Sequence, residues 1–360
     1  MNGVLIIDKP SGLTSHDVVN RVRRILAQRS VGHLGTLDPM ATGILPLVTG
    51  NFTRLAQFYT SSEKTYEGAI RFGFSTDTYD AEGDATSTPQ QVVLDGKEVH
   101  ALAARFRGVI EQMPPPFSAK KIHGVPAYKL ARKQKEVVLK PVQVEIKEFE
   151  ILSVEGDRLH FRARVASGTY MRSVAHDMGQ ALSCGAHLAS LRRTAVAEFT
   201  LDDAHALEEL AAAAGKSDVA RAPSHAETSA NHTTPNTLEP HQSCHPDRNL
   251  PFPQEKEGAV EGPAVPCNKE SSPLRGADFD SFFVHPRKLL PQLPSVTADE
   301  AACARIRSGR TVNLPELSRA RQVKVFAGQR DLIAIATRVA GTLFHPKLVL
   351  CAYDVPVVQG

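Results

Sequence analysis

Residues 32–43, GHLGTLDPMATG, hold a single acidic side chain, Asp38, among glycines, small polar residues and aliphatics. Proline drives the residue before it out of the helical region toward an extended conformation, so Pro39 places Asp38 on a sharp loop. Gly35 and Thr36 lead into that loop, and Gly43 and Gly50 punctuate the apolar run ILPLV that follows it. Two roles are open to the carboxylate on this window alone. It is either a turn aspartate bonded to its own backbone or a reactive group set in apolar surroundings.

The flanking sequence supplies the scaffold. Residues 3–8, GVLIID, read as a short buried strand, and Ser15 is a candidate N-cap for the helix SHDVVNRVRRILAQ. Val18, Val19, Val22, Ile25 and Leu26 share one face of that helix. Residues 65–74 and the alternating runs within 142–165 are strand signals, and MRSVAHDMGQALSCG reads as an amphipathic helix ended by Gly185. Strands and helices mix without a steady βαβ rhythm. That pattern predicts an α+β fold with a mixed, largely antiparallel sheet flanked by helices. Residues 211–280 are poor in large apolar side chains and rich in Pro, Ser, Glu and His, the composition of a disordered linker or insertion. Short apolar runs separated by glycine resume in 281–360 and predict a small β-rich module. The expected division is therefore 1–210, 211–280 and 281–360, with the insertion acting as a flexible tether between the outer parts.

Composition narrows the function. Hydrophobic residues make up 42% of the 360, and no stretch approaches the roughly twenty apolar residues of a membrane span. The N-terminus lacks the apolar length and basic flank of a secretory signal, so a cytoplasmic protein without membrane contact is expected. The five cysteines are scattered with no C-x-x-C, which argues against a disulfide framework or zinc ribbon. His241, Cys244 and His245 lie close together but lack metal-ligand spacing, and Asp77, Asp80, Glu82 and Asp84 lack the ligand order of a calcium loop. No metal is expected. The net charge of +3 is unevenly spread: residues 281–360 hold 11 basic and 5 acidic side chains, a local +6 that suits a polyanion such as nucleic acid. Phosphate-cradling glycine loops and a G-x-S-x-G elbow are both missing, which removes the nucleotide-dependent and serine-hydrolase classes.

What remains is an ordered series of glycine-rich polar patches: DKPSGLTS, GHLGTLDPMATG, KTYEG, GFSTDTYDAEGD, PPPFSAKKIHGVPAYKLAR, SGTYMRSVAHD and LRRT. This series, running through residues 1–200, resembles the TruB family of bacterial tRNA pseudouridine synthases. The ATG ending of the second patch resembles the bacterial branch and not its guide-RNA-dependent relatives. The resemblance implies a pseudouridine synthase fold followed by a PUA-like RNA-binding module. It implies isomerisation of a uridine to pseudouridine in the T arm of tRNA, position 55, with no cofactor. It also implies a monomer that needs no obligate protein partner and holds tRNA by the T arm and acceptor stem.

By the same resemblance Asp38 is the nucleophile, Arg172 its ion-pair partner, and Tyr66 and Tyr170 lie against the target base. His33 and Leu191 match substrate-pocket positions. Lys9 and Lys64 are substrate-binding candidates through phosphates, with a purely structural role equally open. The chemistry suits these residue types. A carboxylate nucleophile splits one hard step into easier ones, an adjacent cation keeps it ionised and oriented, and aromatics hold a base that has left its stack. The charged run 120–135 reads by default as a solvated face, and its interleaved basic and aromatic residues also suit an RNA-gripping loop. One departure stands out: the family carries Tyr where this chain has Phe117. Two other classes fit the residues less fully, an RNA-gripping protein without catalysis and a different enzyme of the glycosidic bond.

Overall fold

The computed structural model describes residues 1–117, 121–122, 125–126, 140–215, 279–316 and 318–350. The strands of the larger sheet are β1 (Gly3–Lys9), β2 (Val31–His33), β3 (Thr42–Thr49), β4 (Lys64–Phe72) and β5 (Gly108–Gln112), then β8 (Val142–Glu155), β9 (Arg158–Val165), β10 (Ala186–Val196), β11 (Phe199–Thr200) and β12 (Ala204–His205). A separate short ribbon pairs β6 (Lys121–Ile122) with β7 (Val125–Pro126). The large sheet runs β12-β1-β3-β10-β4-β9-β8-β5, with β2 added to β3 and β11 to β10. Within this sheet, among the described residues, only β1–β12 and β3–β10 pair in parallel; the other neighbours are antiparallel. The sheet is mixed and largely antiparallel, as the irregular alternation of elements predicts.

Two helix-covered cores follow from which faces of these strands are apolar. Leu5, Ile7, Leu45 and Leu47 pack against Val18, Val19, Val22 and Ile25 of helix Ser15–Ile25, and against helix Leu207–Ala213. The hydroxyl that caps the first helix is Thr14, one residue earlier than expected. Asp17 stands three residues beyond Thr14 and closes a capping box with it, which leaves the Ser15 hydroxyl for another task. Farther along the sheet, Ile70, Phe72, Leu159, Phe161 and Ala163 pack on Val99 and Leu102 of helix Gly96–Arg105 and on Val174, Ala175 and Met178 of helix Met171–Ala181.

The C-terminal residues form a second sheet, β13-β15-β16-β17-β14, from β13 (Ser295–Ala298), β14 (Val312–Asn313), β15 (Gln322–Ala327), β16 (Asp331–Ala340) and β17 (Leu343–Val349). A flexible tether is not how this module is joined. Val4, Ile6, Ile44 and Val48 share one core with Leu289, Leu290, Phe326, Leu332, Ile335 and Leu348. Glu198 adds a polar clip, accepting from the Tyr59 hydroxyl at 2.6 Å and from the Leu290 amide at 2.8 Å. Apolar burial across the contact holds the module against the large sheet. Most of 211–280, with His241, Cys244 and His245, lies outside the described residues, as does nearly all of 120–135.

Gly43 shows how tight the sheet is around the loop of Asp38. It pairs with Lys9 of β1 on one side and Arg193 of β10 on the other. Its φ is +99°, and a Cβ there would stand 2.2 Å from the Arg193 carbonyl oxygen. Gly12 has φ +83° but open space around it. Gly43→Ala is therefore expected to lower unfolding free energy by about 2–4 kcal/mol, through strain and displaced backbone. Gly12→Ala is expected to lower it by about 1 kcal/mol, the left-handed penalty alone. Urea unfolding of both variants checks the contrast; equal losses would contradict it.

Candidate active site

The loop between β2 and β3 is held on both sides of Asp38 by backbone bonds. The Ser15 hydroxyl donates to the Leu37 carbonyl at 3.0 Å and accepts from the Leu37 amide at 2.8 Å. Arg193, 1% exposed, donates to the carbonyls of Gly35 (3.1 Å), Thr36 (3.2 Å) and Ile44 (2.9 Å). Behind Asp38, the Pro39 carbonyl accepts from Lys9 Nζ at 3.0 Å and from the Gly12 amide at 2.9 Å. The backbone is committed throughout, and the Asp38 side chain projects from it.

Lys9 is thus not a phosphate contact. It is 0% exposed and gives its remaining bonds to the carbonyls of Pro10 (2.9 Å) and Leu13 (2.7 Å). An ammonium sealed behind three carbonyls cannot reach an RNA backbone. Burial draws its pKa down to about 8, against the pull of the nearby Asp38 and Glu82 carboxylates.

The Asp38 carboxylate meets Arg172, the second residue of helix Met171–Ala181. Arg172 Nη2 donates to Asp38 Oδ1 at 3.1 Å, and Nε stands 2.9 Å from Oδ2. The carboxylate is therefore engaged by a cation across the sheet, not by its own turn. The guanidinium has only 6% of its side chain exposed, whereas Asp38 keeps 32%. Arg172 is itself fixed from behind. Nη1 donates to the Thr78 carbonyl at 3.1 Å and lies 3.4 Å from Asp80 Oδ2, while Nη2 also donates to the Phe117 carbonyl at 3.0 Å. Phe117 acts here through its backbone, so the missing hydroxyl does not touch this bond. Gln112 clamps the helix entry by accepting from the Tyr170 amide at 2.9 Å and donating to the Tyr170 carbonyl at 3.1 Å.

Asp38 and Arg172 open into a cavity of about 310 Å³ whose wall includes Lys64, Tyr66, Tyr170, Leu191 and Arg193. Tyr66 in β4 lies opposite Arg193 in β10, which sets the aromatic beside the loop. Lys64 bonds the Ser62 carbonyl at 2.6 Å, and burial with the Arg193 charge brings its pKa down to about 8. Of the residues expected in the site, Asp38, Arg172, Tyr66, Tyr170, Leu191 and Lys64 come together. His33 does not line this cavity. Its Nδ1 accepts the Gly35 amide at 3.3 Å, and burial lowers its pKa to about 4, so it is a neutral ring that shapes the turn.

Asp80 and Arg193 are the residues that sequence reasoning missed. Asp80 is buried and accepts from the Thr78 hydroxyl at 2.6 Å and the Glu82 amide at 3.1 Å, so the acidic run 77–84 serves as a backstop for Arg172. Burial pushes the Asp38 carboxyl upward and the Asp80 charge adds to that push, with Arg172 opposing both. Removing the like charge by Asp80→Asn is expected to lower the Asp38 pKa. Carbon-13 carboxyl titration, assigned by difference from Asp38→Asn, checks the sign; an unchanged or higher value would contradict it.

Among the described residues no helix is long and apolar enough to cross a membrane. The family model for the N-terminal domain of TruB family pseudouridylate synthases matches residues 23–171, and that for the tRNA pseudouridylate synthase B C-terminal domain matches 172–224. The chain is 42% identical over 353 residues to tRNA pseudouridine synthase B of Solibacter usitatus, covering 97% of this chain and 100% of that one. It is 47% identical over 212 residues to tRNA pseudouridine synthase B of Opitutus terrae, covering 59% of this chain and 88% of the relative. An archaeal box H/ACA Nop10–Cbf5 complex contains a chain with the same fold at 20% identity, with a TM-score of 0.58 over 98% of this chain and 87% of that one. The chain accordingly belongs to the TruB family of tRNA pseudouridine synthases, isomerases that turn uridine into pseudouridine in tRNA.

Proposed function

We propose that the chain isomerises one uridine of the tRNA T arm, at position 55, with Asp38 as nucleophile and without a cofactor. The observation that carries this reading is the Asp38 carboxylate, set in a cavity and met on both oxygens by the buried Arg172. A flipped uridine enters the cavity, where Tyr66 and Tyr170 flank the base and Leu191 closes an apolar wall. Asp38 attacks the nucleoside covalently. The N1–C1′ bond breaks, the uracil turns, and C5 bonds to C1′. The hydrogen on C5 then leaves as a proton while N1 gains one, so nothing is oxidised or reduced. Arg172 stabilises the carboxylate when it attacks and again when it departs.

Residues 1–210 form the catalytic domain in this reading and 281–360 the PUA-like RNA-binding module, which holds the acceptor-stem side through phosphates. A surface cleft of that module, lined by Arg321 and Lys347 with Gln322 and Thr337, offers charge for this. The protein works as a cytoplasmic monomer with no obligate protein partner.

The test uses a T-arm stem-loop tritiated at uridine C5, purified protein and no added cofactor. One tritium released per RNA, with no free uracil, is the expected result. Tight binding without release would leave an RNA-gripping protein, and free uracil would mean hydrolysis of the glycosidic bond.

A further inference from the structure

Arg172 can serve Asp38 only if the turn behind it keeps its place, and that turn hinges on an unusual residue. Thr78 and Asp80 both contact the guanidinium, through a carbonyl and a carboxylate. Between them Tyr79 has φ +64°, a left-handed conformation that glycine or asparagine adopts far more readily than a bulky aromatic. The backbone alone would be better served by a small residue.

The ring explains the choice. Tyr79 stacks on His176, with ring centroids 3.8 Å apart and planes 13° from parallel. His176 lies four residues beyond Arg172 on helix Met171–Ala181, so the two side chains share one face. The turn therefore touches the helix at two successive points: polar groups on Arg172 and a ring on His176. A buried Nδ1 of His176 has no hydrogen-bond partner among the described residues, so that nitrogen is not what holds the imidazole. Burial lowers the His176 pKa, which favours a neutral ring and adds no second cation beside Arg172. The same turn is stitched to β10 at its far side: the Leu188 amide donates to the Tyr79 carbonyl at 3.0 Å, and Asp80 bridges to Leu188.

We propose that Tyr79 and His176 are positioning residues, whose stack holds the 78–80 turn in register with the helix so that Arg172 stays aimed at Asp38. This rests on the assignment of Asp38 as nucleophile. Misplacing a catalytic group by about an ångström costs up to about a hundredfold in rate, whereas RNA binding at the surface is untouched.

The experiment compares single-turnover tritium release and RNA dissociation constants for Tyr79→Ala, Tyr79→Gly, His176→Ala and His176→Phe, with Asp38→Asn as control. Loss of the stack is expected to slow release about tenfold to a hundredfold with affinity held within about twofold. Tyr79→Gly relieves the backbone but stays slow, and His176→Phe keeps a ring and recovers the rate to within about threefold. The double variant Tyr79→Ala/His176→Ala is no slower than either single, because both remove the same contact. Rates near wild type in Tyr79→Gly and His176→Ala would overturn the inference, as would weakened affinity with unchanged rate or a His176→Phe as slow as His176→Ala. If an alanine variant fails to fold, Tyr79→Gly and His176→Phe decide alone. An active Asp38→Asn would instead overturn the assignment on which the inference rests.

Discussion

One guanidinium between two carboxylates organises this protein. Arg172 is buried, and a buried cation without partners is prohibitively costly, so the fold must bring it anions. Asp38 and Asp80 supply them from segments 134 and 92 residues away, and the backbone carbonyls of Thr78 and Phe117 complete the cage. The two acids are not equivalent. Asp80 is sealed and hydrogen-bonded on its free side, whereas Asp38 retains an exposed edge toward the cavity. The site thus satisfies its buried cation while leaving one carboxylate able to react. Much of the surrounding structure serves this asymmetry: Ser15, Lys9 and Arg193 immobilise the backbone of the Asp38 loop, and Gln112 fixes the start of the Arg172 helix.

Charge elsewhere is arranged to a different end. Arg192 pairs with Asp8, Arg162 with Glu67, Arg71 with Asp157, and Arg164 with Glu63 and Glu148. These half-exposed pairs contribute little to stability individually. Their consequence is that the outward face of the large sheet is electrically compensated. The surplus positive charge of the chain falls in residues 281–360, on a module anchored through a shared core and the Glu198 clip. Surplus positive charge on such a module favours polyanionic ligands.

Residue type and local pattern carried much of this into the sequence. Pro39 and the surrounding glycines marked the Asp38 loop, and the irregular strand and helix signals gave a largely antiparallel sheet. Other features depend on long-range packing that no window shows. Lys9 follows a short apolar run and looks like a surface residue; it is buried because the carbonyls of Pro10, Leu13 and Pro39 close around its ammonium. Arg192 and Arg193 are adjacent and identical, yet successive strand residues face opposite sides, so one meets Asp8 in the open and the other vanishes beneath the loop. Asp80 sits in a run of acids with metal-loop overtones, and only the arrival of Arg172 gives it a cation to face. The register that brings the Tyr79 ring onto His176 is equally invisible before folding.

Asp38→Asn tests the role of the Asp38 carboxylate most directly. Asparagine keeps the shape of the side chain and Asp80 still faces Arg172, so the variant should fold. RNA affinity should also persist, while tritium release falls by at least about three orders of magnitude. A folded, RNA-binding Asp38→Asn that still releases tritium within about tenfold of wild type would contradict the account.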